Sequence, residues 1–139
     1  MTKYTLETLD VYNLSETFSD AVWLEVEKWK YFEKDTVGKQ LVRAVDSISA
    51  NIAEGYGRYS FKEDARFLHI ARGSATESKS WLSKCTRRRL IEQSTAEKLL
   101  GDLEAIMIKL NAYINFVERG RSKKNQVRQD QPIVITRSE

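Results

Sequence analysis

Apolar residues recur at steps of three and four along most of the chain, the period of an amphipathic helix and not the alternation of a strand. Val11, Leu14, Phe18, Val22, Val26 and Trp29 predict a first helix from about Glu7 to Phe32, followed by a charged connection at Glu33-Lys34-Asp35. A second helix is expected to start near Thr36 as N-cap and to carry Val37, Leu41, Val45, Ile48 and Ile52. Its expected stop is at Gly55 and Gly57, where a left-handed residue can end a helix. Ser60-Phe61-Lys62-Glu63 and Ser94-Thr95-Ala96-Glu97 share the S-x-x-E form in which hydroxyl and carboxylate satisfy free backbone donors at a helix start. They predict helices at about 61 to 89 and 95 to 118. In the last, Leu99, Leu103, Ile106, Leu110, Tyr113 and Val117 form a bundle-like seam that Leu100, Met107 and Ile114 widen. Helices of about 25 residues are nearly 40 Å long and, with connections this short, fold back on their neighbours. The expected fold is all-α, an antiparallel up-down-up-down four-helix bundle.

Composition narrows the chemistry. With one cysteine and one histidine among 139 residues, the chain has neither a disulfide framework nor a Cys-rich zinc module. No apolar run reaches the roughly 18 residues of a membrane span, and Met1-Thr2-Lys3-Tyr4 opens no signal peptide, so a cytoplasmic protein without membrane partners is expected. The net charge of +3 is unevenly placed: residues 119–139 hold six basic and two acidic side chains, and the rest is close to neutral. The reading is therefore a bundle domain at 1–118 and a basic, flexible tail at 119–139. Pro132-Ile133-Val134-Ile135 interrupts the tail as a candidate docking strand.

The third helix is two-sided. Phe67, Ile70, Ala71, Ala75, Ser78, Trp81, Leu82 and Cys85 fall on one arc, and Lys62, Arg66, His69, Arg72 and Arg87 on the other. The apolar arc exceeds the stripe of about 100° that faces one core, and its margin at Ile70 and Trp81 predicts a second contact, between subunits. His69 and Cys85 stand about 160° apart on this helix and cannot form a nucleophile and base pair within one chain. Arg66 occupies the position where a di-metal bundle would need a carboxylate three residues before His69. Gly55-Tyr56-Gly57 lacks the strand and third glycine of a cofactor loop. No catalytic, metal or cofactor residue is assigned; a hydrolytic reading of Glu54 and Glu77 would need them to converge on a metal or ligand. Ser47, Asn51, Glu54 and Arg58 line about 60° of the second helix. This polar stripe reads either as a site or as a hydrogen-bond network fixing the turn or a subunit contact. Candidate phosphate-binding residues are Lys62, Arg66 and Arg72, the Arg87, Arg88 and Arg89 cluster, and Arg119, Arg121, Lys123 and Lys124.

At Ser47-Ile48-Ser49-Ala50-Asn51-Ile52-Ala53-Glu54-Gly55-Tyr56-Gly57-Arg58, and again at Arg66-Phe67-Leu68-His69-Ile70-Ala71-Arg72-Gly73-Ser74-Ala75-Thr76-Glu77, the chain resembles a known family. It looks like the four-helix-bundle proteins encoded in intervening sequences of bacterial 23S ribosomal RNA genes, sometimes labelled small-subunit ribosomal proteins. Leu9-Asp10-Val11-Tyr12 and Gln40-Leu41-Val42-Arg43-Ala44 also fit, and Asn51, Glu54, Gly55, Gly73, Ser74 and Glu77 match the family pattern. The resemblance implies an antiparallel bundle assembled as a cyclic homopentamer, with no enzyme activity. A relative of the family, the accessory variability determinant of diversity-generating retroelements, forms a basic pentameric barrel that binds nucleic acid and a reverse transcriptase. A five-membered ring would turn +3 per chain into about +15 around one axis. Two readings follow: a non-enzymatic ring that binds RNA, DNA or a nucleoprotein partner through basic surfaces, or a protein-interaction scaffold without nucleic-acid binding. Salt separates them, because phosphate binding weakens steeply as salt rises.

Overall fold

The computed structural model describes residues 5–130, with side chains described for residues 5–120. Four long helices, α1 (Asp10–Glu27), α2 (Lys39–Tyr56), α3 (Phe61–Arg87) and α4 (Gln93–Asp130), follow a single 3-10 turn at Leu6–Thr8, and there is no strand among the described residues. Each helix packs on its chain neighbours and α4 closes against α1. Cross-helix pairs run in opposite senses. The Ser49 hydroxyl donates to Glu16 Oε2 at 2.6 Å and the Ser19 hydroxyl to the Val45 carbonyl at 3.5 Å. Arg72 meets Asn111 while His69, one turn earlier, meets Glu118. Within each of these two pairs, α1 with α2 and α3 with α4, the helices are therefore antiparallel.

The core is built largely from positions that the periodicity picks out, although Leu14 on the first stripe is 37% exposed. Phe18 and Val22 on α1, Leu41, Ile48 and Ile52 on α2, Leu68 and Leu82 on α3, and Leu103, Ile106, Leu110 and Ile114 on α4 are fully buried. Burying each such side chain stabilises the fold by about 1.5–3 kcal/mol. The α4 seam is buried from Leu99 through Val117 at every predicted position.

Helix ends differ from expectation in instructive ways. The first helix stops at Glu27, not Phe32, and Tyr31 and Phe32 open a helical lead-in, Tyr31–Glu33, that passes through a π-helical stretch, Lys34–Gly38, into α2. Glu33-Lys34-Asp35 is thus helical and not a connection, and the Thr36 hydroxyl donates back to the Phe32 carbonyl at 2.7 Å instead of capping a start. Gly38 explains the geometry: a Cβ there would lie 2.8 Å from Val26 Cγ1 and 3.0 Å from the Glu33 carbonyl oxygen. The link can wrap this tightly onto α1 only without a side chain.

Neither Gly55 nor Gly57 is left-handed, for no described glycine has positive φ. Gly55 serves close approach, since a Cβ would meet Asp64 Oδ1 at 2.7 Å, the Asp64 carbonyl oxygen at 2.9 Å and Phe67 Cβ at 3.0 Å. The left-handed residue is Arg89, with φ 65°. It closes α3 in a Schellman arrangement, Leu90 N–H donating to the Cys85 carbonyl at 3.0 Å and Arg89 N–H to the Thr86 carbonyl at 2.9 Å. At the other end of α3 the expected cap forms, with Glu63 N–H donating to the Ser60 hydroxyl at 3.1 Å. Helix α4 starts at Gln93, so Ser94 stands inside its first turn and not before it. It runs to Asp130, past the expected end at 118 and over part of the stretch read as a tail; Pro132-Ile133-Val134-Ile135 lies outside the described residues.

Candidate functional site

The turn from α2 to α3 gathers charged and aromatic side chains at one end of the bundle. Phe67, half-buried, sits where α3 crosses Gly55, and two guanidinium groups lie against its ring: Arg58 from the end of α2 at 4.7 Å and Arg66 from α3 at 4.5 Å to the centroid. Each is held by a carboxylate three or four residues before it. Arg58 Nη2 donates to Glu54 Oε2 at 2.6 Å, and Arg66 Nε and Nη2 both donate to Glu63 Oε1 at 3.3 Å. Lys62 is exposed one turn before Arg66, and Tyr59 in the turn is 69% exposed.

Helix α4 brings its C-terminal half to this same end. The Arg72 guanidinium donates to Asn111 Oδ1 at 2.9 Å and to His69 Nδ1 at 3.0 Å, and His69 Nε2 lies 2.8 Å from Glu118 Oε2. Arg72 and His69, read from the sequence as members of a basic side, join α3 to α4. Arg119, which is exposed, follows Glu118 on α4. Arg121, Lys123 and Lys124 fall within the bounds of α4, but their side chains lie outside the described residues.

The basic candidates are consequently two groups. Arg87, Arg88 and Arg89 end α3, and from Lys62 to Arg87 a helix rises about 38 Å. There the cations complement the carboxyl end of the helix dipole, and Arg89 lines an open cleft of about 690 Å³ with Glu25, Lys28 and Trp29.

The polar stripe on α2 is a ladder within that helix. Asn51 Nδ2 donates to the Ser47 carbonyl at 2.8 Å, and Glu54 holds Arg58 as described. Its link to α3 is Arg58 on Phe67. The polar groups between helices are others: Asp64, fully buried against Gly55, and the buried Ser49, which reaches the exposed Glu16. Sequence reasoning missed both, although Asp64 shares the helical face of Leu68 and Ala71 and could have been placed there by period alone. Burial lifts the Asp46 carboxyl above its ordinary range, opposed by a hydrogen bond with Ser19 and reinforced by Glu16 and Asp20. The outer face of α1 and α2 is acidic at this level.

The expected subunit contact at the α3 margin is modest: Ile70 is 41% exposed, and Trp81 is half-buried with its Nε1 donating to Glu77 Oε2 at 3.3 Å. Larger apolar side chains are exposed around the α1–α2 link, with Trp23 at 56%, Tyr31 at 78% and Phe32 at 71%. Trp23, Val26, Gly38 and Val42 floor a cavity of about 390 Å³ there.

Cys85 is fully buried and its thiol is pushed up to about 11 by that burial, so it is not a thiolate at neutral pH. Glu54 and Glu77 each have a partner on their own helix. Among the described residues no three His, Cys, Asp or Glu side chains converge as a metal site, and no helix is long and apolar enough to cross a membrane.

Comparison with known proteins adds two findings. Residues 7–112 match the family described as 23S rRNA-intervening sequence protein. A crystal structure of a protein of unknown function from the S23 ribosomal protein family of Bacteroides thetaiotaomicron superposes with a TM-score of 0.68 at 26% identity, over 75% of this chain and 97% of that one. No curated protein matches the sequence at a significant level.

Proposed function

The chain belongs to the 23S rRNA-intervening sequence protein family, and from that premise we propose a non-enzymatic cytoplasmic ring that binds nucleic acid through one end of its bundle. The observation that carries this reading is the exposure of Lys62 on α3 and Arg119 on α4, each without an ion pair among the described residues, on two helices that the His69–Glu118 contact holds together. Positive side chains from separate elements give a phosphate-binding surface that none supplies alone. Repetition around an axis strengthens it, because each subunit adds its own copy to the same polyanion. Five subunits is the number that the family resemblance implies. The exposed Trp23, Leu24, Tyr31 and Phe32 supply apolar surface for self-association.

The same aromatic surface favours a second reading, a scaffold whose partners are proteins. Light scattering with and without mixed RNA and DNA, at low and moderate salt, separates the two. The ring reading expects a species near 80 kDa, about five times the 16.1 kDa chain, that grows with nucleic acid at low salt and relaxes as salt rises. A ring of that size that ignores nucleic acid throughout would leave the scaffold standing. A 16 kDa monomer would remove the ring from both.

A further inference from the structure

The two arginines at Phe67 are poor phosphate neutralisers and good stacking surfaces. Glu54 and Glu63 balance their charges, while the carboxylates and the ring hold both guanidinium groups in place against Phe67. A guanidinium fixed in this way has a flat face available at no further ordering cost, and an aromatic ring or an arginine plane accepts a nucleobase by stacking. Tyr59, in the turn beside Arg58, adds an aromatic ring that is 69% exposed. Lys62, one turn before Arg66, has no ion pair among the described residues and is the charge left for phosphate. A duplex keeps its base faces inside the stack and would meet only this cation. A single strand offers both phosphates and base faces, and every base has such a face whatever its identity.

We infer that this end of the bundle binds single-stranded nucleic acid, with bases stacked on Tyr59 and on the Arg58–Phe67–Arg66 group and phosphate held by Lys62. The inference rests on the nucleic-acid reading above and narrows it to unpaired strands. Base faces are common to RNA and DNA, so the two are separate arms of one test.

The test is fluorescence anisotropy of the full-length protein with a labelled 20-nucleotide RNA, a DNA of the same sequence, and the corresponding blunt duplex, at one moderate salt concentration. Single strands are expected to bind at least about tenfold tighter than duplex. Tyr59→Ala should weaken single-strand binding by about tenfold and leave duplex binding unchanged, and Tyr59→Phe should retain the original affinity. Equal affinity for single strands and duplex, untouched by Tyr59→Ala, overturns the stacking inference while the electrostatic ring survives. Failure of all three oligonucleotides to bind, in a protein that forms its ring, overturns the nucleic-acid reading itself. Tighter RNA than DNA binding would support the inference and assign the strand by its 2′-hydroxyls.

Discussion

Gly55 and Gly101 offer the same substitution in two settings, and the structure assigns them opposite signs. Both glycines lie inside helices, where replacing Gly with Ala contributes about 1 kcal/mol of stability through backbone entropy. At Gly101 a new Cβ meets nothing within 4 Å, so Gly101→Ala should show that gain alone. At Gly55 the Cβ would stand 2.7 Å from Asp64 Oδ1, 2.9 Å from the Asp64 carbonyl oxygen and 3.0 Å from Phe67 Cβ. Two of these three atoms belong to or adjoin the α3 backbone, so relief requires α2 and α3 to separate. Overpacking of this kind costs about 1–3 kcal/mol. After the entropy gain is subtracted, Gly55→Ala should lose about 1 kcal/mol relative to the parent, and the gap between the two variants, about 2 kcal/mol, isolates the steric cost. Urea unfolding at unchanged m measures it directly. For a chain of this size the gap corresponds to about 4–8 °C in Tm. If Gly55→Ala proves as stable as Gly101→Ala, the close approach of α2 and α3 is not what Gly55 provides.

Two further outcomes follow from the turn after α3 and from the core. Arg89 holds φ 65° with a side chain, so Arg89→Gly should raise stability by about 1 kcal/mol in thermal unfolding; an unchanged or lower Tm would contradict the Schellman closure. Cys85, raised by burial to about 11, should resist a thiol reagent at neutral pH until denaturant is added, and rapid native labelling would refute its burial. Because the unfolded thiol ionises near 8.5, its contribution is complete below that pH and is lost as pH rises toward 11. Cys85→Ala should flatten this alkaline decline.

Much of the fold was legible because burial repeats with the helix. The seams of α1 and α4 follow Phe18, Val22, Leu103 and Leu110 directly from the 3.6-residue period. The α1–α2 link was not legible: the period that runs to Trp29 carries the expected helix on to Phe32, but the helix stops at Glu27, and the break is set by Gly38 against Val26, a contact between elements. Glycine misled in the same way at Gly55, where tertiary proximity and not a left-handed turn explains it, while the left-handed position went to an arginine that no turn signal marks. The S-x-x-E signal held at Ser60, where the helix begins at the next residue, and failed at Ser94, which already lies in the first turn. For the basic residues, angular position around α3 was read correctly, but distance along its axis was not weighed. That distance divides Lys62 and Arg66, with Tyr59 beside them, from Arg87, Arg88 and Arg89.

The contact between Arg72 and His69 has a spectroscopic corollary. A guanidinium can only donate, so His69 Nδ1 must offer a lone pair to it, and the imidazole proton resides on Nε2, directed at Glu118. A chain with one histidine therefore carries a single, unambiguous nitrogen-15 reporter: a resonance pattern of the Nε2–H tautomer signals that α3 and α4 are joined at this level. A shift to tautomer averaging would record the parting of these two helices even where the rest of the bundle holds.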